Sequence, residues 1–437
     1  MKIFREFLKY VSLSVAAMVC VSIYILADTW FISVAMGSYG LAALNISIAV
    51  FSIVHSFGLM ISIGGATHYA IKKSKGENAN AVFSHALLQG IFVSAIFVFV
   101  GIFFTSHVAR LLGADGEILP MVIVYMRTIL LFSPIFTANN IVIAFIRNDN
   151  NPKLAMIGMV TASMINIVFD YIFLFPLDMG MFGAALATGL AFSISLLIVS
   201  SHFWMKNGEL KLLTRNFNLK INEFVKINAL GSSALINELA FAVSLVVFNL
   251  VILGIEGNIG VAAFGVVANI AVIVLSIFTG VAQGIQPLIS KGYGKGDKAL
   301  VYKTLQYAII TVLLIASVVY AIIFFNATAI VSAFNRESDS VFYYLATSGL
   351  RIYFIGIFFA GINLIASAFF SAVDSAKKAV TISLLRSCII NIPMVITLGA
   401  IFNMNGVWSA FVANELVVVL VSLGFLWLLR LFLDKTH

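Results

Sequence analysis

Long apolar runs separated by short polar turns fill this chain from one end to the other. Runs able to cross about 30 Å of hydrocarbon recur twelve times, with limits near 10–34, 40–70, 81–104, 120–146, 154–175, 181–204, 227–254, 260–289, 301–325, 341–371, 379–401 and 406–432. The pattern predicts an all-α polytopic membrane protein with twelve transmembrane helices. Several runs exceed the minimum length and would tilt or emerge from the bilayer. Pro134 and Pro393 fall inside runs, where proline bends a helix. The first run reads as an uncleaved span, not a signal peptide.

Composition agrees. The 437 residues are 62% hydrophobic and only 10% charged, against about 25% charged in soluble proteins. Cys20 and Cys388 both lie in apolar runs, so no disulfide framework is implied. The net charge of +8 would suit nucleic acid if it were clustered on one face. Instead, with the amino terminus inside, 21 of the 26 basic residues fall in predicted cytoplasmic segments, from Lys2, Arg5 and Lys9 to Arg430 and Lys435. The positive-inside rule then places both termini in the cytoplasm of a multi-pass inner-membrane protein. The bilayer is its expected surrounding, and a monomer its expected state, with no nucleic-acid partner.

The chain also repeats. Gly37-Ser-Tyr-Gly40-Leu-Ala-Ala43 matches Gly257-Asn-Ile-Gly260-Val-Ala-Ala263 at an offset of 220, and Lys75-Gly-Glu77 matches Lys295-Gly-Asp297. Further on the offset drifts to 224, pairing Arg127 with Arg351 and Lys153 with Lys377. Six spans per half bring the second half back in the same orientation. The expected architecture is therefore two six-helix bundles, 1–204 and 227–437, joined by a cytoplasmic linker at 205–226 and related by a pseudo-two-fold axis along the membrane normal.

Spans, repeat and local motifs together resemble the multidrug and toxic compound extrusion (MATE) family, its bacterial and archaeal multidrug efflux branch. The stretches that carry the resemblance are Ala27-Asp28-Thr29, Phe145 to Lys153, Asn166 to Asp170, and Gly183 to Thr188. It implies antiport of amphipathic, mostly cationic or aromatic compounds against protons or sodium, by alternating access. A flippase for a lipid-linked saccharide is the alternative, since a related superfamily shares the helix count.

Four acids lie within spans: Asp28, Asp170, Glu238 and Glu415. Each costs about 2.5–3.5 kcal/mol on insertion scales, so each must be paired, solvated or protonated. Tyr24 lies one turn before Asp28, and Asn166 one turn before Asp170, so each acid has a polar neighbour on its own face. The resemblance assigns Tyr24, Asp28, Asn140, Asn166, Asp170 and Thr188 to a cation-coupling network in the first bundle. Two carboxyls in one desolvated pocket compete for a single proton. Equally, Asp28, Asp170, Asn166 and Thr188 offer the oxygen ligands sodium wants. Proton and sodium both stay open.

In the second bundle Glu238 is either a contact for cationic substrate or a structural hydrogen-bonder, Asn363 is a candidate substrate contact, and Glu415 is expected to be inert. Arg127 and Arg351 are expected to snorkel to the interface or pair with a loop, and Arg386 to reach the cytoplasmic side similarly. His55, His68 and His85 have no metal-ligand spacing. Gly292 to Lys298 lacks the GxxxxGK[ST] phosphate loop, and no nucleophile–base pair or HExxH is present. The reading is a transporter without cofactor, and not an enzyme.

Overall fold

The computed structural model describes residues 2–204, 208–211, 220–334 and 339–434. Lys206, Arg215, Arg336, Lys435 and most of the expected linker lie outside them. The first half comprises α1 (Lys2–Ser74), α2 (Asn80–Phe103), α3 (Thr105–Leu111), α4 (Ile118–Asn148), α5 (Pro152–Leu174) and α6 (Gly180–Ser200). The second comprises α7 (Ile221–Lys295), α8 (Lys298–Phe334), α9 (Ser340–Tyr353), α10 (Ile357–Ala372), α11 (Ala376–Leu384) and α12 (Asn391–Asp434). No strand occurs among the described residues.

Nine helical stretches among the described residues are long and apolar enough to cross a membrane. Three of them are broken inside, at Gly37 in α1, Gly257 in α7 and Asn403 in α12, and these breaks bring the spans to twelve. They fall where the apolar pattern is interrupted. Gly37 (φ 61°, ψ −148°) and Gly257 (φ 62°, ψ −151°) adopt one conformation at an offset of 220, a region of backbone space that is essentially glycine-only. The correspondence runs on through Gly76 and Gly296, Asn150 and Asp374, and Asp178 and Asn403, all with positive φ. The repeat is thus written in backbone turns as well as in residue identity.

Pro393 occupies the first turn of α12, just after a π-helical turn at Leu385–Ile389, where its missing N–H leaves no helical bond unmade. The irregularity in that span is the π turn.

The described chain falls into two compact units. The N-unit holds Ser12–Glu238 with Ser290–Asp297; the C-unit holds Met1–Val11, Leu239–Ile289 and Lys298–His437. Each unit therefore takes in the opening segment of the other half's first helix. In the N-unit the start of α7 crosses α1 so closely that a Cβ on Gly231 would overlap the carbonyl of Met60, and one on Gly64 would overlap that of Ile227. In the C-unit the repeat mate of Gly64, Gly284, lies against Tyr10 and Val11, with Val11 Cα 2.7 Å from where its Cβ would stand. Close backbone approach at small residues is how membrane helices gain packing contacts without a hydrophobic driving force. Gly231→Ala has no flexible neighbour to displace and is expected to destabilise the N-unit by roughly 1–3 kcal/mol, the range for overpacking. Thermal melting of the purified variant checks this; an unchanged midpoint would mean the crossing is looser than described.

The segment that follows the first half is pinned to the N-unit. Asp149, buried at the end of α4, accepts hydrogen bonds from Tyr69 Oη (3.0 Å) and from the backbone N–H groups of Glu209 (2.9 Å) and Leu210 (3.1 Å). It also pairs with His202 Nε2 (2.7 Å) and with Lys73. Burial pushes the Asp149 carboxyl up. The hydrogen bonds from His202, Lys73 and the Leu210 N–H, with the Lys73 charge, outweigh it and hold the group well below the usual carboxylate range. Nearby Glu223 pairs with His68 (2.9 Å) and Lys72 (2.5 Å), and Lys220 N–H donates to His85 Nε2 (3.1 Å).

Candidate functional site

The start of α5 explains where its polar face points. Asn151 caps the helix by accepting from Leu154 N–H, and Pro152 occupies the first helical turn. From there Gly158, Ala162, Asn166, Asp170 and Leu174 form a buried stripe at four-residue spacing. Gly158 lets α6 approach closely, since a Cβ there would overlap Val199, and Ser195 Oγ donates to its carbonyl at 2.9 Å. Further along the same antiparallel pair, Asn166 Nδ2 donates to Thr188 Oγ1 at 3.2 Å.

Asp170, fully buried, meets Asp28 from α1, and the two carboxyls lie within hydrogen-bonding range of each other. Tyr24, one turn before Asp28, and Tyr125 from α4 are close enough to feel both charges, and both rings are buried. Sequence reasoning missed Tyr125, because one tyrosine in an apolar run carries no pattern. Asp28 Oδ1, both Asp170 carboxyl oxygens and Asn166 Oδ1 have no hydrogen-bond donor among the described residues. Two carboxylates in contact cannot both stay charged in a desolvated site without a proton or a cation between them. Four oxygens without donors, three of them from two different carboxyls, suit either one.

The structure thus brings together Tyr24, Asp28, Asn166, Asp170 and Thr188. Asn140 stands farther along α4 than Tyr125, by fifteen residues or about 22 Å of helical rise, and its amide bonds to His55 Nδ1 at 3.3 Å.

The second half provides an internal comparison. The repeat mates of Tyr24, Asp28, Asn166, Asp170 and Thr188 are Ser244, Phe248, Asn391, Val395 and Ala413. Asn391 Nδ2 donates to Ser244 Oγ at 2.9 Å, while Phe248 stacks on Phe264 with centroids 5.3 Å apart. The same positions come together there without a charge. The acidic pair is a property of the first half alone.

Charge in the C-unit is held differently. Arg386 Nε donates to Glu415 Oε1 at 2.6 Å, so this arginine is ion-paired where sequence reasoning expected it to reach for the interface. Asn363 Nδ2 donates to Glu415 Oε2 (2.8 Å) and to its carbonyl (2.9 Å), and Ser422 Oγ donates to Asn363 Oδ1 (2.8 Å). Asn363 is fully buried and spends both ends of its amide inside this network. Arg351 lies over the Phe324 ring at 5.4 Å. Glu238 is half-buried, the last N-unit residue of α7 before the changeover to the C-unit.

Comparison with known proteins converges on one family. The MatE family model matches residues 14–172 and 234–397, one segment in each half. The chain is 26% identical over 420 residues to the multidrug export protein MepA of Staphylococcus saprophyticus, covering 95% of this chain and 92% of that protein. It is 26% identical over 416 residues to MepA of Staphylococcus aureus strain MSSA476, covering 93% and 90%. Its fold matches an outward-facing multidrug resistance MATE transporter of the MOP superfamily with a TM-score of 0.93 at 22% identity, over 99% of this chain and 96% of that one. A MOP superfamily transporter from Pyrococcus furiosus, described as having reversed binding-pocket polarity, matches at 0.90 and 23% identity, over 98% and 95%. With a family model spanning most of both halves and a repeated twelve-span helical fold, this chain belongs to the MatE family of multi-pass membrane transporters.

Proposed function

We propose that this chain exports amphipathic, mostly cationic compounds across the cytoplasmic membrane by alternating access, driven by inward movement of protons or sodium. The observation that carries the proposal is the Asp28–Asp170 contact with its four donor-less oxygens. An inbound cation, written here as a transported substrate, has a place to bind, and Asn166 and Thr188 are positioned to shape it. Tyr24 and Tyr125 close the site with their rings and keep water from screening it. Glu238, half-buried in a span, offers a carboxylate to a cationic substrate. We assign Asn363 to the Glu415 network, not to substrate. Export by the related MepA proteins supports the substrate class.

The two sequence halves, 1–204 and 227–437, divide the work on this reading: ion exchange in the first, a fixed ion pair in the second. A saccharide-pyrophosphate flippase would want unpaired arginines, and Arg386 is already neutralised by Glu415.

The test is efflux of a fluorescent organic cation from proteoliposomes under a proton gradient and a sodium gradient imposed separately. Dye movement driven by one of them names the coupling ion. Absence of movement under both overturns the antiport reading.

A further inference from the structure

A second polar group in the N-unit stands apart from the acid pair. His55 lies midway between the Gly37 break of α1 and the helix end at Ser74, and Asn140 lies one turn beyond Phe136 on α4. Asn140 Nδ2 lies 3.3 Å from His55 Nδ1, and because an amide nitrogen only donates, the ring nitrogen accepts. A neutral imidazole whose Nδ1 accepts must carry its proton on Nε2. That Nε2–H has no partner among the described residues. The contact is built in. Gly58, one turn after His55, leaves the space, because a Cβ there would come within 3.0 Å of Asn140 Nδ2. Phe51, one turn before His55, stacks parallel to the imidazole at 5.8 Å and 12°, and is itself braced edge-on by Phe136 at 5.7 Å. Thr137, beside Gly58, has a buried hydroxyl with no partner among the described residues.

His55, Asn140 and Phe51 are only half-buried although they sit inside spans. Polar tips at that depth face a bundle interior or a water-filled path, since facing lipid would leave them unsatisfied. A flat aromatic surface with one fixed N–H donor, a neighbouring amide and no carboxylate reads shape and hydrogen bonding, not charge.

We propose that Phe51, His55 and Asn140 form a recognition patch for planar aromatic substrates that carry a hydrogen-bond acceptor, such as a carbonyl or a ring nitrogen. It rests on the export reading above and adds to it which substrates are favoured. The substrate ring stacks along Phe51 and its acceptor takes the His55 Nε2–H, while the acid pair supplies only the drive.

The experiment compares two monovalent cations in proteoliposomes: tetraphenylphosphonium, which has no acceptor, and a xanthenium ester dye, which has a carbonyl. His55→Phe keeps the ring and removes the donor. It is expected to raise KM for the ester by about 10-fold, the value of one lost hydrogen bond of ordinary strength. KM for tetraphenylphosphonium should change less than about 2-fold, with the response to the ion gradient unchanged. Asn140→Leu, which frees the imidazole tautomer, should move the same compound in the same direction. Equal effects on both cations, or no effect on either, overturn the patch. If wild-type protein moves neither cation, the export reading has failed. Equilibrium binding of the two dyes to purified wild-type and variant protein then decides the patch by itself. Should His55→Phe not fold, Asn140→Leu carries the same comparison.

Discussion

Asp170→Asn is expected to lose gradient-driven efflux while leaving the folded protein intact. The substitution is nearly isosteric, and Asp170 accepts no hydrogen bond from a donor among the described residues that the amide would forfeit. What disappears is the group that binds and releases a cation. Each coupled charge contributes about 2.3 kcal/mol per 100 mV, so losing it should cost roughly 50-fold in the accumulation ratio at that potential. Dye efflux from proteoliposomes measures the loss, and a melting midpoint within a few degrees of wild type certifies the fold. Efflux at the wild-type level would move the coupling site elsewhere, with Glu238 the next candidate. The same substitution at the second-half position has no counterpart to remove, because Val395 stands there.

The largest stability effect is expected at Arg386. Its side chain is 13% exposed and that of its partner Glu415 2%. Arg386→Ala therefore strands a buried carboxylate that keeps only Asn363 as a donor among the described residues. Removing one member of a buried pair costs about 3–5 kcal/mol, whereas replacing both by apolar residues is often neutral. The melting midpoint of Arg386→Ala should fall sharply, and the double variant Arg386→Met with Glu415→Leu should recover most of the loss. A single variant that melts like wild type, or a double variant that melts no better than the single, would remove the pair from the account of this unit. Transport by the double variant then reports whether the pair serves stability alone.

Much of this architecture can be read along the chain, because the bilayer imposes a length on every span and the repeat imposes a second copy. The breaks at Gly37 and Gly257 sit inside the matched Gly-x-x-Gly segments, where glycine adopts the observed conformation without a Cβ penalty. The Asn166–Asp170 face followed from helical spacing. What no local pattern carries is pairing across distant elements. Arg386 and Glu415 belong to different spans, Asp149 gathers partners from α1, from the turn after α6 and from the segment beyond it, and Tyr125 lies within electrostatic reach of two acids from two other helices. Charge and spacing say that such groups need partners. They do not say which.

The exchange of opening segments also sets a timetable. Lys2–Val11 leaves the ribosome well before the glycine it packs against, Gly284, which is made some 270 residues later. At about 5–20 residues per second, that is a wait of roughly 15–55 s. The N-unit is complete once Asp297 has emerged, while the C-unit waits for the last spans. This early segment thus finishes its folding among later ones, and separate synthesis of the two halves would leave each new bundle short of a piece carried by the other.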